Sequence, residues 1–150
     1  MVGRRSPVSP ATRPGYEQVL SSVLRACRKR NPDALWNLMT PRFQSEINDQ
    51  AAQLREALPI ADLQQLYGYR GRPKAFTGLA FLRYAIKSGD HSPDNPCSDA
   101  KQWKVKQSVP TAGGYLVVID RPQSFSFGLR FSRKNQIWYL DQITKSKKTK

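Results

Sequence analysis

Three positively charged side chains lie close together in one short stretch of the chain. Arg70, Arg72 and Lys74 stand between Tyr67 and Phe76. Cations can neutralise phosphates while neighbouring rings stack under bases, so this mixture can serve single-stranded nucleic acid. The stretch matches no defined nucleic-acid motif, and a solvated loop of an ordinary basic protein has the same composition. We treat the three cations as candidate binding residues and keep both interpretations open.

Acid–base catalysis would require a carboxylate or histidine close to a group that holds a developing oxyanion. The one histidine, His91, lies in a polar segment. Asp141 follows Leu140 in an alternating pattern that directs the carboxylate outward. Tyr84 and Tyr115 are candidate hydroxyl donors and candidate binding residues, although a tyrosine on an amphipathic element commonly serves packing. We assign no catalytic residue, and the scarcity of such groups favours a protein that is not an enzyme.

The polar segment from Asp90 to Asp99 gathers three acids, the histidine and Cys97. Their spacing fits neither a zinc pattern nor a calcium loop, so we expect no metal and no cofactor. The other cysteine, Cys27, lies on the apolar side of the first predicted helix, where a small buried thiol is common. Two cysteines permit one disulfide at most. We predict that both are reduced and independent.

The composition is that of a strongly basic globular protein. The 150 residues are 39% hydrophobic and carry a formal net charge of +14, from 25 Lys and Arg against 11 Asp and Glu. Seven positive charges fall in residues 1–14 and 144–150, which we predict to be a flexible arm and a disordered tail, and +7 remains for one domain at residues 15–143. Such a charge favours weak, non-specific binding of polyanions. With no apolar run of membrane-spanning length and no signal-peptide pattern, the default assignment is cytoplasmic.

Helix signals dominate the first two thirds of the chain. Apolar residues spaced three and four apart predict a helix from about Gly15 to Arg30. Asn31-Pro32-Asp33 and Thr40-Pro41 each combine a capping side chain with a proline at the first helical position, which predicts two further helix starts. Another short helix should end at Gly68 in the left-handed conformation. Residues 77–88 are apolar almost all round, which predicts a central helix.

Alternating apolar and polar residues predict four strands in the last third of the chain. The residues expected to face the helices are Phe125, Phe127, Leu129, Phe131, Trp138 and Leu140. Ser126, Arg130 and Ser132 are expected on the opposite face. The predicted fold class is α+β, with N-terminal helices packed on a C-terminal curved antiparallel sheet of about four strands.

Two segments resemble the nuclear transport factor 2-like superfamily. Asn31–Phe43 contains Asp33-Ala34-Leu35-Trp36 followed by Thr40-Pro41, which is similar to the second-helix region of that superfamily. Residues 136–143 resemble its final strand, a Trp-x-Leu followed by an apolar close. The resemblance implies a cone-shaped α+β roll whose sheet curls around the helices and leaves a ligand-binding pocket. The chain departs from the family at residues 41–76, where helix signals replace a strand pair.

Members of the superfamily include transport factors, isomerases, dehydratases and non-catalytic domains of exported proteins, so the fold alone does not choose a function. Our first interpretation is a non-catalytic binding or scaffold domain of this type. Its partner would be another protein, or a second copy bound through the sheet. The alternative is a basic protein that binds nucleic acid or another polyanion. A second alternative is a small-molecule isomerase or dehydratase.

Overall fold

The structure is a computed structural model, and it describes residues 15–87, 95–121 and 126–145. Within these residues, helices of the N-terminal half pack against a four-stranded antiparallel open sheet, so the predicted α+β class is confirmed. The helices are α1 (Tyr16–Arg28), α2 (Pro32–Asn37), α3 (Pro41–Ala57), α4 (Ile60–Tyr67) and α5 (Gly78–Lys87). The strands are β1 (Lys104–Thr111), β2 (Gly114–Asp120), β3 (Phe127–Lys134) and β4 (Ile137–Lys145). Short 3₁₀ turns occupy Pro73–Ala75 and Ala100–Gln102.

The first helix, α1, forms because its apolar residues repeat at three and four and make one stripe. Tyr16, Val19, Val23 and Cys27 are buried on that stripe, which packs against β4 and α2. The helix ends two residues earlier than predicted, and Arg30 then adopts a left-handed φ of 53°. That conformation cannot continue a right-handed helix.

Both proline-led helix starts are present. At the start of α2, the Asn31 side-chain oxygen accepts a hydrogen bond of 3.1 Å from the Ala34 backbone N–H. At the start of α3, the Thr40 hydroxyl oxygen accepts one of 3.1 Å from the Phe43 N–H. Each cap satisfies a backbone donor that has no partner within its helix. Gly68 ends α4 with a left-handed φ of 66°, as the sequence predicts.

The predicted central helix is α5. Its buried residues are Gly78, Ala80, Phe81, Leu82, Ala85 and Ile86. It packs against α2, α3 and α4, which explains why apolar side chains cover most of its circumference.

The sheet has the order β1-β2-β3-β4, so β2 and β3 are its central strands. The inward-facing residues are buried or packed against the buried cluster, and these are Phe127, Leu129, Phe131, Trp138 and Leu140. Arg130 is exposed. The predicted orientation of β3 is therefore confirmed for Phe127, Leu129, Arg130 and Phe131, whereas Ser126 and Ser132, predicted on the opposite face, are only partly exposed. Phe125 lies outside the described residues.

A bulge changes the face that β1 presents along its length. The register shifts between Val105 and Gln107. Before the bulge Val105 pairs with the buried Ile119, and after it Val109 pairs with Leu116. Because Leu116 and Ile119 differ by an odd number of positions, the two valines point to opposite faces of the sheet. The plain alternation of the sequence would place both on one face.

The two edges of the sheet differ. At the β4 edge, the Thr40 N–H donates to the Leu140 oxygen at 2.9 Å, and the Leu140 N–H donates to the Leu38 oxygen at 2.7 Å. The segment before α3 therefore covers part of that edge. At the β1 edge, residues 104–110 are all exposed, and β2 is the neighbour to which β1 is hydrogen-bonded. The β1 edge is thus open within the described residues.

The two cysteines form a disulfide, so the prediction of two reduced, independent thiols is wrong. Cys27 lies on the buried stripe of α1, and Cys97 lies in the segment before β1, with 4.9 Å between the Cα atoms. The Arg28 guanidinium holds this segment against α1, because it donates to the Ala100 oxygen at 3.1 Å and to the Trp103 oxygen at 3.3 Å. The 70-residue separation of the cysteines gives no local sequence signal for this contact.

Some predictions concern residues that are not described. These are the arm at residues 1–14, His91, and residues 146–150 of the tail. The last strand continues to Lys145, two residues beyond the predicted end of the domain. None of the helices in the described ranges has both the length and the apolarity that a bilayer crossing requires.

Candidate functional site

The two tyrosines considered as hydroxyl donors lie in different aromatic clusters. Tyr115 on β2 stacks on Tyr16 of α1, with 4.2 Å between ring centroids, and its ring lies 5.9 Å from that of Trp138. Tyr84 on α5 meets Tyr69 edge-on, with 5.6 Å between centroids. Each ring therefore packs within its own cluster. Such packing is the commoner role of a tyrosine on an amphipathic element.

Two aspartates, one in α2 and one on β4, are held in ion pairs. Asp33 accepts from Arg83 at 2.9 and 3.0 Å, and hydrogen bonding to that guanidinium lowers the pKa of Asp33. Asp141 accepts from the Thr40 hydroxyl at 2.9 Å and pairs with Arg42 at 3.1 Å, and the bond to Asp141 raises the pKa of Arg42. The lowered pKa makes the Asp33 carboxylate a weak base near neutral pH. In the described ranges, no three or more His, Cys, Asp or Glu side chains converge as metal ligands.

Residues 70–74, which we call the basic loop, are built around the side chain of Tyr69. The Tyr69 ring is buried, and its hydroxyl donates a hydrogen bond of 2.6 Å to the Arg72 carbonyl oxygen. That hydroxyl fills the inside of the loop, because a Cβ at Gly71 would overlap it. A 3₁₀ turn follows, in which the Ala75 N–H donates to the same Arg72 oxygen at 3.0 Å. The sequence therefore specifies a compact loop rather than a free one.

The aromatic residues around the basic loop point into the protein. Phe76 is fully buried, and its carbonyl oxygen accepts a hydrogen bond of 3.0 Å from Arg55 on α3. The Phe76 ring lies 5.0 Å from that of Tyr69 and 5.8 Å from that of the half-buried Tyr67. The three predicted cations, Arg70, Arg72 and Lys74, are exposed, as is Pro73 between them. Charge therefore remains at the surface, while Tyr69 and Phe76 are withdrawn from it.

The cations of the basic loop are not offset by the acids that the structure describes. The ion pairs within the described ranges involve Arg42 and Arg83 and none of the three loop cations. An open depression of about 420 Å³ lies beside the loop, lined by Gln64, Gly68 and Arg70. An amide side chain and a guanidinium thus border the same space.

The open edge of β1 is a second candidate surface. Val105 is 47% exposed and Val109 is 38% exposed, on opposite faces of the strand. Lys104 and Lys106 are exposed beside them. Unpaired backbone groups on an edge strand can bind another strand. A sequence signal for an edge was present, since Pro110 is a residue that central strands exclude.

The sequence-predicted site residues therefore divide into two groups. Arg70, Arg72 and Lys74 share one ordered loop, whereas Tyr84 and Tyr115 pack in separate clusters. Two features of these surfaces were not predicted: the Tyr69 hydrogen bond, which reaches only three residues along the chain, and the open edge of β1, which Pro110 signals. Function has to be argued from these surfaces, since no protein-family model, curated protein or solved structure matches the chain.

Proposed function

We propose that the chain is a non-catalytic binding domain of the nuclear transport factor 2-like type, and that it binds an extended, acidic segment of a protein partner along β1. The observation that carries the proposal is the exposure of β1 from residue 104 to residue 110. The order of helices before an antiparallel sheet supports the likeness to that superfamily, as does the Asp33-Ala34-Leu35-Trp36 segment in α2.

An added strand would meet suitable groups on both faces of β1. Main-chain hydrogen bonds supply much of the affinity when a peptide joins a sheet edge, and side-chain contacts supply specificity. Val105 on the helix side and Val109 on the opposite side offer apolar contacts. The other edge of the sheet is less suited, because Leu38 and Thr40 already bond to Leu140 there.

Pro110 indicates which backbone groups face the open edge. Proline has no N–H, and a sheet accommodates it where its nitrogen points away from the neighbouring strand. Pro110 pairs with Tyr115, in unbroken register from Gln107 to Thr111. Backbone direction alternates along a strand, so Ser108 also directs its N–H and C=O to the open edge. Gln107 and Val109 direct theirs to β2.

The charge of β1 favours an acidic partner over a second copy of the chain. Lys104 and Lys106 lie on the strand, and its eight residues include no acid. Lysines on an edge strand deter pairing between identical chains, because like charges meet. The formal net charge of +14 also opposes self-association. The same lysines attract carboxylates.

The disulfide bears on where such a partner would be met. Disulfides persist in oxidising environments and are rare in the cytosol. The Cys27–Cys97 bond therefore supports a role in an oxidising compartment, in place of the cytoplasmic default.

The proposal is tested by titrating ¹⁵N-labelled protein with a synthetic peptide of alternating Glu and Val. We expect the largest amide shifts at residues 105–109. Ser108→Pro should weaken binding about tenfold, the equivalent of one lost hydrogen bond. The matched control is Ser108→Ala, which keeps the backbone N–H and should bind like the parent.

Two results would contradict the proposal. Equal peptide affinity for Ser108→Pro and Ser108→Ala would show that the β1 edge does not pair with the peptide. Sedimentation of the parent as a dimer that Ser108→Pro converts to a monomer would make a second copy the occupant of the edge. Amide exchange along β2 and β3 would confirm that each variant retains its sheet.

A further inference from the structure

We infer that the basic loop, residues 70–74, binds an anionic polysaccharide through the sulfate or carboxylate groups of the polymer. This site is separate from the β1 edge and does not depend on the function proposed for that edge. It rests on the fixed backbone of the loop, its unpaired cations and the burial of the rings beside it.

The first step of the argument is that the loop backbone is held before any ligand arrives. Tyr69 fixes the loop from inside through the Arg72 carbonyl, and Gly71 leaves the room that the hydroxyl needs. Arg55 fixes the exit through the Phe76 carbonyl. A preorganised loop loses less conformational entropy on binding than a flexible segment of the same charge, and it therefore binds more tightly.

The second step concerns the charges. Arg70, Arg72 and Lys74 place three cations within five residues, and within the described ranges none of them forms an ion pair. Arginine can hold a planar or tetrahedral anion through two parallel N–H bonds, whereas lysine acts as a point charge. The depression beside the loop adds the Gln64 amide, which suits a polymer that carries both hydroxyls and anionic groups.

The third step distinguishes the polymer. Single-stranded nucleic acid is bound by exposed rings that stack on bases. Tyr69 is 4% exposed and Phe76 is fully buried. The half-buried Tyr67 ring packs against Phe76 and Phe81, so the rings beside the cations offer no open platform. A polysaccharide has no bases and needs only charge and hydrogen bonds. The disulfide points to an oxidising compartment, such as the outside of the cell or the bacterial periplasm.

The test measures heparin binding by the full chain near physiological ionic strength, about 0.15 M. Heparin is the probe because it is a sulfated polysaccharide that short basic clusters bind. The triple variant Arg70→Ala, Arg72→Ala, Lys74→Ala should bind heparin at least about tenfold more weakly than the parent. The magnitude of the slope of log K against log salt concentration should decrease by about 3, one for each lost contact.

The matched control removes three exposed cations elsewhere, by Arg25→Ala, Lys29→Ala and Lys101→Ala. It loses the same formal charge, and we expect its affinity to fall by less than about threefold because screening weakens distant charges. Tyr69→Phe keeps the ring and every charge but removes the hydrogen bond to Arg72. It should weaken heparin binding several-fold while the salt slope stays unchanged.

Three outcomes would overturn the inference. The first is equal loss of heparin affinity in the loop variant and the control variant. The second is tighter binding of oligo(dT) or of phosphatidylglycerol vesicles than of heparin through the same loop. The third concerns the parent protein and so does not depend on whether the triple variant folds. In that outcome, a sulfated hexasaccharide would shift the NMR signals of amides elsewhere and leave those of residues 68–75 unchanged.

Discussion

Phe127 shows how a single side chain of the sheet packs against the segment that precedes β1. Its ring is buried and meets Trp103 edge-on, with 4.8 Å between centroids. Across the sheet it pairs with Ile119, which is also buried. The period of two along β3 predicts this orientation from sequence. The contact with Trp103 was not predicted, because the alternation with Val105 assigns Trp103 to the first strand, whereas it lies just before β1.

Replacing this ring should be costly. Phe127→Ala is expected to lower the free energy of unfolding by about 3–5 kcal/mol, because it removes buried apolar surface and leaves a cavity. Urea denaturation measures the change. Arg130→Ala on the exposed face of the same strand is the control, and its effect should stay within about 0.5 kcal/mol. Equal stability of Phe127→Ala and the parent would contradict the observed orientation.

Caps and turns at single residues were predictable to different degrees. Asn31 and Thr40 were predicted correctly as caps, since the capping bond reaches only three residues along the chain. The run Arg133-Lys134-Asn135 predicts the last hairpin at those residues, whereas the positive-φ residues of the turn are Asn135 and Gln136, with φ of 52° and 68°. Glycine usually follows asparagine in such a turn, and the glutamine gave no comparable signal.

At the scale of elements, several hydrogen bonds hold the start of α3 against β4. The buried Thr40 hydroxyl caps α3 and also donates to Asp141 on β4. The backbone of Thr40 donates to Leu140. Arg42, in the first turn of α3, donates to the Asp141 carbonyl oxygen at 2.8 Å. The cap was visible in the sequence, but its second bond required the two elements to meet.

Thr40→Val tests this joint with little change of shape. It should lower the free energy of unfolding by about 1–3 kcal/mol, because a buried N–H of α3 loses its acceptor and Asp141 loses a donor. Thermal and urea unfolding would measure the loss. Asn31→Ala removes an exposed cap whose side chain bonds to Ala34 within its own helix, and we expect it to cost about 1 kcal/mol. A smaller loss for Thr40→Val than for Asn31→Ala would show that the bond to Asp141 adds nothing.

The first strand marks the limit of prediction for elements. The existence of β1 followed from its alternation, but the bulge after Val105 did not. A bulge inserts one residue without a fixed residue type, so the alternation continues in the sequence while the face changes in the fold. The open edge was missed although Pro110 signals an edge strand.

At the scale of the whole molecule, the disulfide should contribute strongly to stability. The free energy of unfolding of the double variant Cys27→Ser, Cys97→Ser is expected to be about 2–5 kcal/mol lower than that of the oxidised parent. The reason is that the bond restricts a long segment of the unfolded chain. Urea denaturation with and without reductant measures this difference.

The double variant is also the control, because reductant should not change its stability. Intact mass after alkylation under non-reducing conditions should show an oxidised parent with no label. Uptake of two labels by the folded parent, or a parent whose stability ignores reductant, would contradict the assigned bond.

The position of the disulfide also decides which helices and strands lie within one covalent ring. Residues 28–96 include α2, α3, α4 and α5, whereas the four strands all follow Cys97. The oxidised polypeptide is therefore a covalent ring of residues 27–97 with a tail at each end: the ring holds α2 to α5, and the four strands lie in the tail after Cys97. A protease that cuts once inside the ring opens it without separating two fragments, while one cut after Cys97 detaches the distal part of the tail.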